Sequence, residues 1–339
     1  MSLEFRHIAH AYGDVRALED ISFTAPRGEI TCLLGASGCG KSTLLNLAAG
    51  LLPVQQGSIH IGEELLADSH ANPPPESRPV GLVFQDGALF PHMTTADNVG
   101  FGLPRGQQRD IDVWLEKVGL VGLGTRYPHE LSGGQQQRAA LARAMAPNPQ
   151  VLLMDEPFAS VDIVLRRSLR RDCRMLLRER GATVLLVTHD PEEALDIADR
   201  IAVMEDGRII QFATPQELHQ QPAAASVGAI FRGAQVVAAE RRGKAIETPF
   251  GTWPDTSVRE TMPEGSQLEL LLYSEELELA CDAAGLVVRD CHPLGALTRV
   301  LLANAAGEEI TIVTEQSIDL EQRYCVTPRS GSVLAFERR

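Results

Sequence analysis

The stretch Gly35-Ala36-Ser37-Gly38-Cys39-Gly40-Lys41-Ser42-Thr43 constrains this chain more than any other. It follows Ile30-Thr31-Cys32-Leu33-Leu34, an apolar run that reads as a short buried strand, and it precedes Leu44 to Ala49, which reads as a helix. Strand, glycine-rich loop and helix make the context of a phosphate-binding P-loop. Glycines let backbone N–H groups turn inward around phosphate oxygens, and the helix start adds unpaired N–H groups and the positive end of its dipole. Lys41 can reach the β- and γ-phosphates, and the Ser42 hydroxyl can ligate Mg²⁺. Kinases, GTPases, helicases and transport ATPases share such a loop, so the rest of the chain must choose among them.

Further along come two apolar runs that end in polar clusters. Val151 to Met154 leads into Asp155-Glu156, and Val184 to Val187 leads into Thr188-His189-Asp190. In open parallel sheets ligands bind at the carboxyl ends of strands. There Asp155 could hold Mg²⁺ through water, Glu156 could take a proton from an attacking water, and His189 could touch a γ-phosphate. Val80 to Phe84 is another strand, ending in Gln85, whose amide oxygen could face Mg²⁺. Leu131-Ser132-Gly133-Gly134-Gln135-Gln136-Gln137-Arg138 opens an alanine-rich helix running to Met145, with Pro147 beyond it. A serine and two glycines at a helix start form a second anion site. A chain with its own P-loop does not need one, which suggests that this site closes on nucleotide held by another copy. Tyr12 is expected in the loop between two early strands, Leu3–Ile8 and Ile21–Ala25. It could stack on an adenine ring or simply pack.

Composition narrows the partners. Across 339 residues the net charge is −14, which argues against nucleic acid because phosphate neutralisation wants a basic surface. No apolar run approaches the ~18 residues of a membrane-spanning helix, and the N-terminus carries no signal-peptide core, so the expectation is a soluble intracellular chain. The six cysteines are scattered without CxxC spacing and are expected to be reduced thiols. Cys281, Cys291 and His292 match no metal-site spacing.

The length predicts two domains. Ile111, Trp114, Leu115 and Val118 carry helical spacing. Near Ala223-Ala224-Ala225 a linker helix is expected, after which the chain turns to short strands: 268–272, 285–289, 298–303, 309–313 and 333–336, with turns at Gly251, Gly265, Gly307 and Gly331. About five strands in some 100 residues suggest a small β-barrel.

Taken together, the P-loop, Gln85, Leu131–Gln135, Asp155-Glu156, Asp162 and His189 resemble an ABC-transporter ATPase subunit over about residues 1–232. The resemblance implies an α/β P-loop NTPase domain over 1–232, with a helical subdomain at about 86–150, and an all-β OB-like domain over 233–339. It implies ATP and Mg²⁺ as ligands and a head-to-tail homodimer in which each P-loop pairs with the other copy's signature. By position, Tyr12 would stack on adenine, and Gly35, Ala36, Ser37, Gly38, Cys39, Gly40, Lys41, Ser42 and Thr43 would hold the phosphates. Ser42, Gln85 and Asp155 would serve Mg²⁺, and Gln85 would also sense the membrane partner. Ser132, Gly133, Gly134 and Gln135 would meet the partner's ATP. Glu156 would be the base, His189 would stabilise the transition state, and Asp162 would cross the dimer seam. Val161 in Ala159-Ser160-Val161-Asp162 replaces a commoner leucine.

The implied partners are two membrane permeases and a periplasmic or extracellular solute-binding protein, with the chain on the cytoplasmic face of the inner membrane. The P-loop and the Tyr127–Arg138 run are most similar to ferric-iron importer ATPases. Polyamine, thiamine, sulfate and sugar importers share most of these features. A soluble ABC ATPase acting on ribosomes or DNA is disfavoured by the single cassette, the absence of sustained heptads and the acidic balance. Relatives often carry Ile-Arg-Pro-Glu where this chain has Leu272-Tyr273-Ser274-Glu275, which leaves any regulatory role of that motif open.

Overall fold

A computed structural model describes residues 1–103, 110–159, 161–231, 233–259 and 262–338. Ser160, residues 104–109 of the expected helical subdomain, and Arg232 at the expected end of the first domain lie outside the described residues. The chain divides into two compact units, Met1–Glu217 and Leu218–Arg339.

In the first unit, β1 (Leu3–Tyr12) and β2 (Val15–Ala25) form a long hairpin. With β4 (Gln56–Ile61) and β5 (Glu64–Asp68) they make an antiparallel sheet in the order β2-β1-β4-β5. Both hairpin strands are longer than expected. Tyr12 is the last residue of β1, paired with Val15, rather than a loop residue. Irregular register near His7 and Asp20, both at positive φ (51° and 54°), masks the strand's period in the sequence.

A second sheet runs β10-β9-β3-β8-β7-β6. Its parallel strands are β3 (Ile30–Leu34), β6 (Val80–Val83), β7 (Val151–Asp155), β8 (Thr183–Thr188) and β9 (Arg200–Glu205), and β10 (Arg208–Ala213) closes it antiparallel. The apolar runs that looked like buried strands are buried: β3 wholly, and β7 except at Asp155. Burial on both faces is what a central parallel strand requires. Helix α1 (Lys41–Ala49) sits between the sheets, and Leu44, Leu45 and Ala48 pack with Leu3, Phe5, Leu33, Leu153 and Leu185 in one core.

The helical portion contains α2 (Thr95–Gly100), α3 (Asp110–Lys117) and α4 (Gly133–Met145). Following β7, α5 (Ile163–Glu179) leads to β8, and α6 (Pro191–Ile197) follows that strand. Asp190 caps α6 through Oδ1, which accepts from the N–H groups of Glu192 at 2.9 Å and Glu193 at 3.4 Å, and Pro191 fills the first helical position.

The first unit ends within α7 (Pro215–Gln220), earlier than the expected 232/233 boundary. The reason is packing: α8 (Ala225–Gly228) is no linker but lies on the second unit's sheet, where Gly228 meets Leu271 so closely that a Cβ would fall 2.0 Å from its side chain. That unit is all-β, with nine strands among the described residues rather than five. One sheet joins β11 (Ala234–Arg242), β12 (Ala245–Thr248), β13 (Gly251–Pro254), β14 (Gln267–Tyr273) and β19 (Leu334–Glu337) in the order β13-β12-β11-β14-β19. The other joins β15 (Leu277–Leu294), β16 (Leu297–Ala303), β17 (Glu309–Thr314) and β18 (Arg323–Pro328) in the order β17-β16-β15-β18. Leu268, Leu270, Val300, Leu302 and Ile312 fill the core between them. The buried Trp253 indole donates to the Val326 carbonyl at 2.7 Å, tying β13 to β18. Gly251, expected in a turn, begins β13.

Candidate functional site at the carboxyl ends of the parallel strands

Register brings the chemistry together. Leu34 pairs with Thr188, Asp155 with Val187, and Met154 with Val83. The residues following β3, β8, β7 and β6 therefore emerge along one edge: the P-loop, His189, Glu156 and Gln85. Gln85 stands exposed two residues past β6, and Asp162 is exposed just ahead of α5.

The loop after β3 is fixed by its glycines. Gly40 has φ 104°, and a Cβ there would fall 2.4 Å from the Ala17 carbonyl, so only glycine fits. At Gly35 a Cβ would lie 2.2 Å from the Met204 carbonyl. Gly38, by contrast, opens on free space. Lys41 is buried, and its ammonium donates to the carbonyls of Gly35 at 2.9 Å and Ala36 at 2.8 Å, with Cys39 Sγ at 3.7 Å. The lysine thus stands inside the curve of the loop. Ala36, Ser37 and Ser42 are exposed, while Cys39 is buried. The Tyr12 ring is half exposed, with its hydroxyl 3.4 Å from Thr43 Oγ1 and its plane at 73° to the neighbouring His10 ring.

Across from the loop, the Ser42 hydroxyl donates to Asp155 Oδ1 at 3.2 Å. Burial pushes the Asp155 carboxyl above its ordinary value, against the Ser42 hydrogen bond that favours ionisation, and the Glu156 charge adds to the rise. A half-buried carboxylate and a hydroxyl are hard oxygen donors, and a divalent cation between them would favour the ionised acid. This donor set fits Mg²⁺. Among the described residues no group of three or more His, Cys, Asp or Glu could hold a metal by itself, the Cys281, Cys291 and His292 trio included.

Glu156 is held in a costly conformation. Its φ is +41°, a left-handed backbone that costs a non-glycine residue on the order of 1–3 kcal/mol. The cross-strand bond from its N–H to the Val187 carbonyl, 2.9 Å, keeps it there. Its Oε1 lies 2.9 Å from His189 Nδ1. With the carboxylate as acceptor the ring donates from Nδ1, which leaves Nε2 available to a second partner. The imidazole is exposed and the carboxyl largely covered, an arrangement open to a reactant from one side.

The Leu131–Gln135 segment lies elsewhere, at the start of α4. Ser132 is its N-cap, with its hydroxyl accepting from Gln135 N–H at 3.4 Å, while Gln135 Oε1 accepts from Ser132 N–H at 2.9 Å. The Ser132 and Gln135 side chains are thus engaged with each other's backbone. Gly133 is exposed, and a Cβ at Gly134 would meet nothing within 4 Å, so the helix start remains open to a close neighbour. No hydrogen bond ties this segment to the P-loop among the described residues. Sequence reasoning brought the P-loop, Asp155, Glu156 and His189 into one cluster but missed what lies behind it. Glu193, on α6, is a buried carboxyl bonded to Thr188, and the second of two adjacent glutamates in the first turn of a helix gave no signal of burial.

A P-loop, an acidic strand end and a histidine strand end stand side by side on one mostly parallel sheet, the arrangement expected of an ATP-binding cassette. Known proteins agree. A family model described as ABC transporter matches residues 18–159. The Fe(3+) ions import ATP-binding protein of Pseudomonas fluorescens is 40% identical over 328 residues, covering 93% of this chain and 92% of that protein. A sulfate/thiosulfate import ATP-binding protein of Chromobacterium violaceum is 40% identical over 312 residues, covering 88% of this chain and 83% of that protein. Among solved structures, a nucleotide-free ATP-binding cassette from an ABC transporter superposes with a TM-score of 0.60 at 25% identity, over 69% of this chain and all of that one. The chain belongs to the ATP-binding subunits of ABC transporters, and it is an ATPase.

Proposed function

We propose that this chain hydrolyses ATP on the cytoplasmic face of a bacterial inner membrane to drive import of ferric iron. The observation that carries the hydrolytic reading is the convergence of Lys41 and Ser42 with Asp155, Glu156 and His189 on one sheet edge. Gly35 to Thr43 cradle the phosphates by backbone N–H groups, and Lys41 exchanges its carbonyl contacts for phosphate oxygens. Tyr12 offers its exposed face to adenine. Ser42 and Asp155, with Gln85 from the same sheet edge, would hold Mg²⁺, which would neutralise charge on the phosphates. Glu156 accepts a proton from the attacking water, and the strained backbone fixes its direction. His189, aimed by Glu156, presents Nε2 to the γ-phosphate and stabilises developing charge there.

The open helix start at Gly133 and Gly134 suits the phosphates of a second copy, with Ser132 and Gln135 at the mouth and Asp162 at the seam. Two ATP sites then form in a head-to-tail homodimer. Among the described residues no helix is long and apolar enough to cross a membrane, so the passage itself would belong to two permease subunits, fed by a solute-binding protein.

Iron is favoured because the Pseudomonas fluorescens relative named for Fe(3+) import aligns over nearly its whole length. Sulfate or thiosulfate is the second reading, favoured by the Chromobacterium violaceum relative at the same identity. Deleting the gene for this chain and following uptake of radiolabelled ferric iron and sulfate separates the two. Loss of iron uptake alone, restored by the wild-type chain and not by Glu156→Gln, is the expected result. Loss of sulfate uptake alone selects the other cargo.

A further inference from the structure

Beneath the turn that carries His189 lies a carboxyl that hydrolysis does not use. Glu193 is 3% exposed. Its Oε2 accepts from the Thr188 hydroxyl at 2.9 Å, and its Oε1 is buried with no hydrogen-bond partner. The Thr188 oxygen accepts in turn from the Asp190 N–H at 3.0 Å. The residues on either side of His189 are therefore tied to each other and, through Thr188, to Glu193. Asp190 Oδ2 pairs with the buried guanidinium of Arg170 on α5, and the same Arg170 Nη2 stands 3.9 Å from Glu193 Oε2. Glu193 and Asp190 thus share one buried cation, whose Nη1 also stands 3.5 Å from Asp196 Oδ2 on α6. Also facing Glu193 are Arg166 and the Cys173 thiol of α5 and the Cys32 thiol of β3.

We propose that Glu193 is a positioning residue whose proton, through Thr188, Arg170 and Asp190, sets how His189 stands against Glu156. The inference rests on the reading of His189 and Glu156 as the hydrolytic pair. When ionised, Glu193 draws in the Thr188 hydroxyl and a share of Arg170, which tightens the bracket around His189. When protonated, it leaves Arg170 to Asp190 and the bracket loosens. Burial pushes the Glu193 carboxyl up to about 7, against the pull of the Thr188 hydrogen bond and of Arg170, so the change falls in the working range of a cell. Proximity alone would not give this behaviour, because a glutamine of the same shape makes the Thr188 contact without any change of charge.

The test uses the full-length chain and Glu193→Gln, with ATP turnover followed from about pH 6 to about pH 8.5, the span that brackets this ionisation. In the wild type kcat should carry an inflection near that ionisation. Glu193→Gln should lose it, with kcat unchanged at the acid end, a roughly threefold or larger drop at the alkaline end, and KM for ATP unchanged. The His189 ring resonance, assigned by its absence from His189→Ala, should show a second titration step in the wild type that Glu193→Gln lacks. Thr188→Val, which cuts the hydroxyl branch while leaving Glu193 and Arg170 in place, should shrink that step. A kcat lowered equally at every pH, or a His189 ring that titrates identically in all three chains, overturns the proposal. Wild-type turnover in Glu156→Gln would instead defeat the hydrolytic reading, and the ring signal, which does not depend on catalysis, would still report on Glu193.

Discussion

Glu156 combines a strained backbone, a covered carboxyl and a histidine partner within one residue. Such strain persists only where surrounding bonds over-determine it, here the N–H bond to Val187. Glu156→Gln keeps the shape and removes the base, so hydrolysis should fall by on the order of 10² or more while ATP still binds. Turnover close to wild type in the purified chain would remove Glu156 from that role. Lys41 makes the complementary prediction. Its ammonium holds the Gly35 and Ala36 carbonyls, so Lys41→Ala loses both the charge for phosphate and a brace for the loop. Nucleotide titration should show weakened ATP binding, and unchanged affinity would contradict the assignment. At this scale much of the site was legible, because loop and strand-end chemistry is local: Gly40, Lys41, Asp155 and Glu156 declare themselves by their neighbours in sequence. Tyr12 was misplaced by a few residues of strand, since bulge-like irregularities at His7 and Asp20 break the alternation that marks a strand. Glu193 was illegible because its burial comes from α5, which is distant in sequence.

The element that reports on this burial is α6. An acid whose value rises from 4.5 to about 7 on folding binds its proton more tightly in the folded chain than in the unfolded one. Its contribution to stability is therefore full below about pH 4.5 and is lost as pH climbs through about 7. At 1.36 kcal/mol per unit the whole span is on the order of 3 kcal/mol. Glu193→Gln lacks this ionisation, so in thermal or denaturant unfolding it should match the wild type at the acid end and become the more stable chain above neutral pH. A gap that stays constant with pH would mean that the carboxyl is solvated. Elements were legible where they were continuously apolar, as β3, β7 and β8 are. In the second unit β11, β12, β13 and β18 escaped notice: β11, for one, ends in the consecutive charged residues Glu240, Arg241 and Arg242, which interrupt its apolar alternation, and only packing against the other sheet reveals the inner face. The segment from Ala223-Ala224-Ala225 onward reads as a linker helix by composition, yet Ala225, Val227 and Gly228 are buried.

At the scale of the whole molecule, one chain holds two glycine-bearing helix starts that no hydrogen bond joins among its described residues: the P-loop with α1, and the open turn at Ser132 to Gly134 with α4. In the proposed homodimer they are halves of two shared sites. A Ser132→Arg chain places a long side chain at the open start, so a homodimer of it should lose both sites, and a Lys41→Ala homodimer should fail as well. When the two chains are mixed, one composite site carries both defects and the other carries neither. The direct measurement is ATP bound per purified Lys41→Ala/Ser132→Arg heterodimer, with Glu156→Gln added to both chains so that bound nucleotide is not consumed. Shared sites predict one ATP per heterodimer and almost none in either parent homodimer. A Ser132→Arg homodimer that binds two ATP, or a heterodimer that binds none, would contradict that sharing.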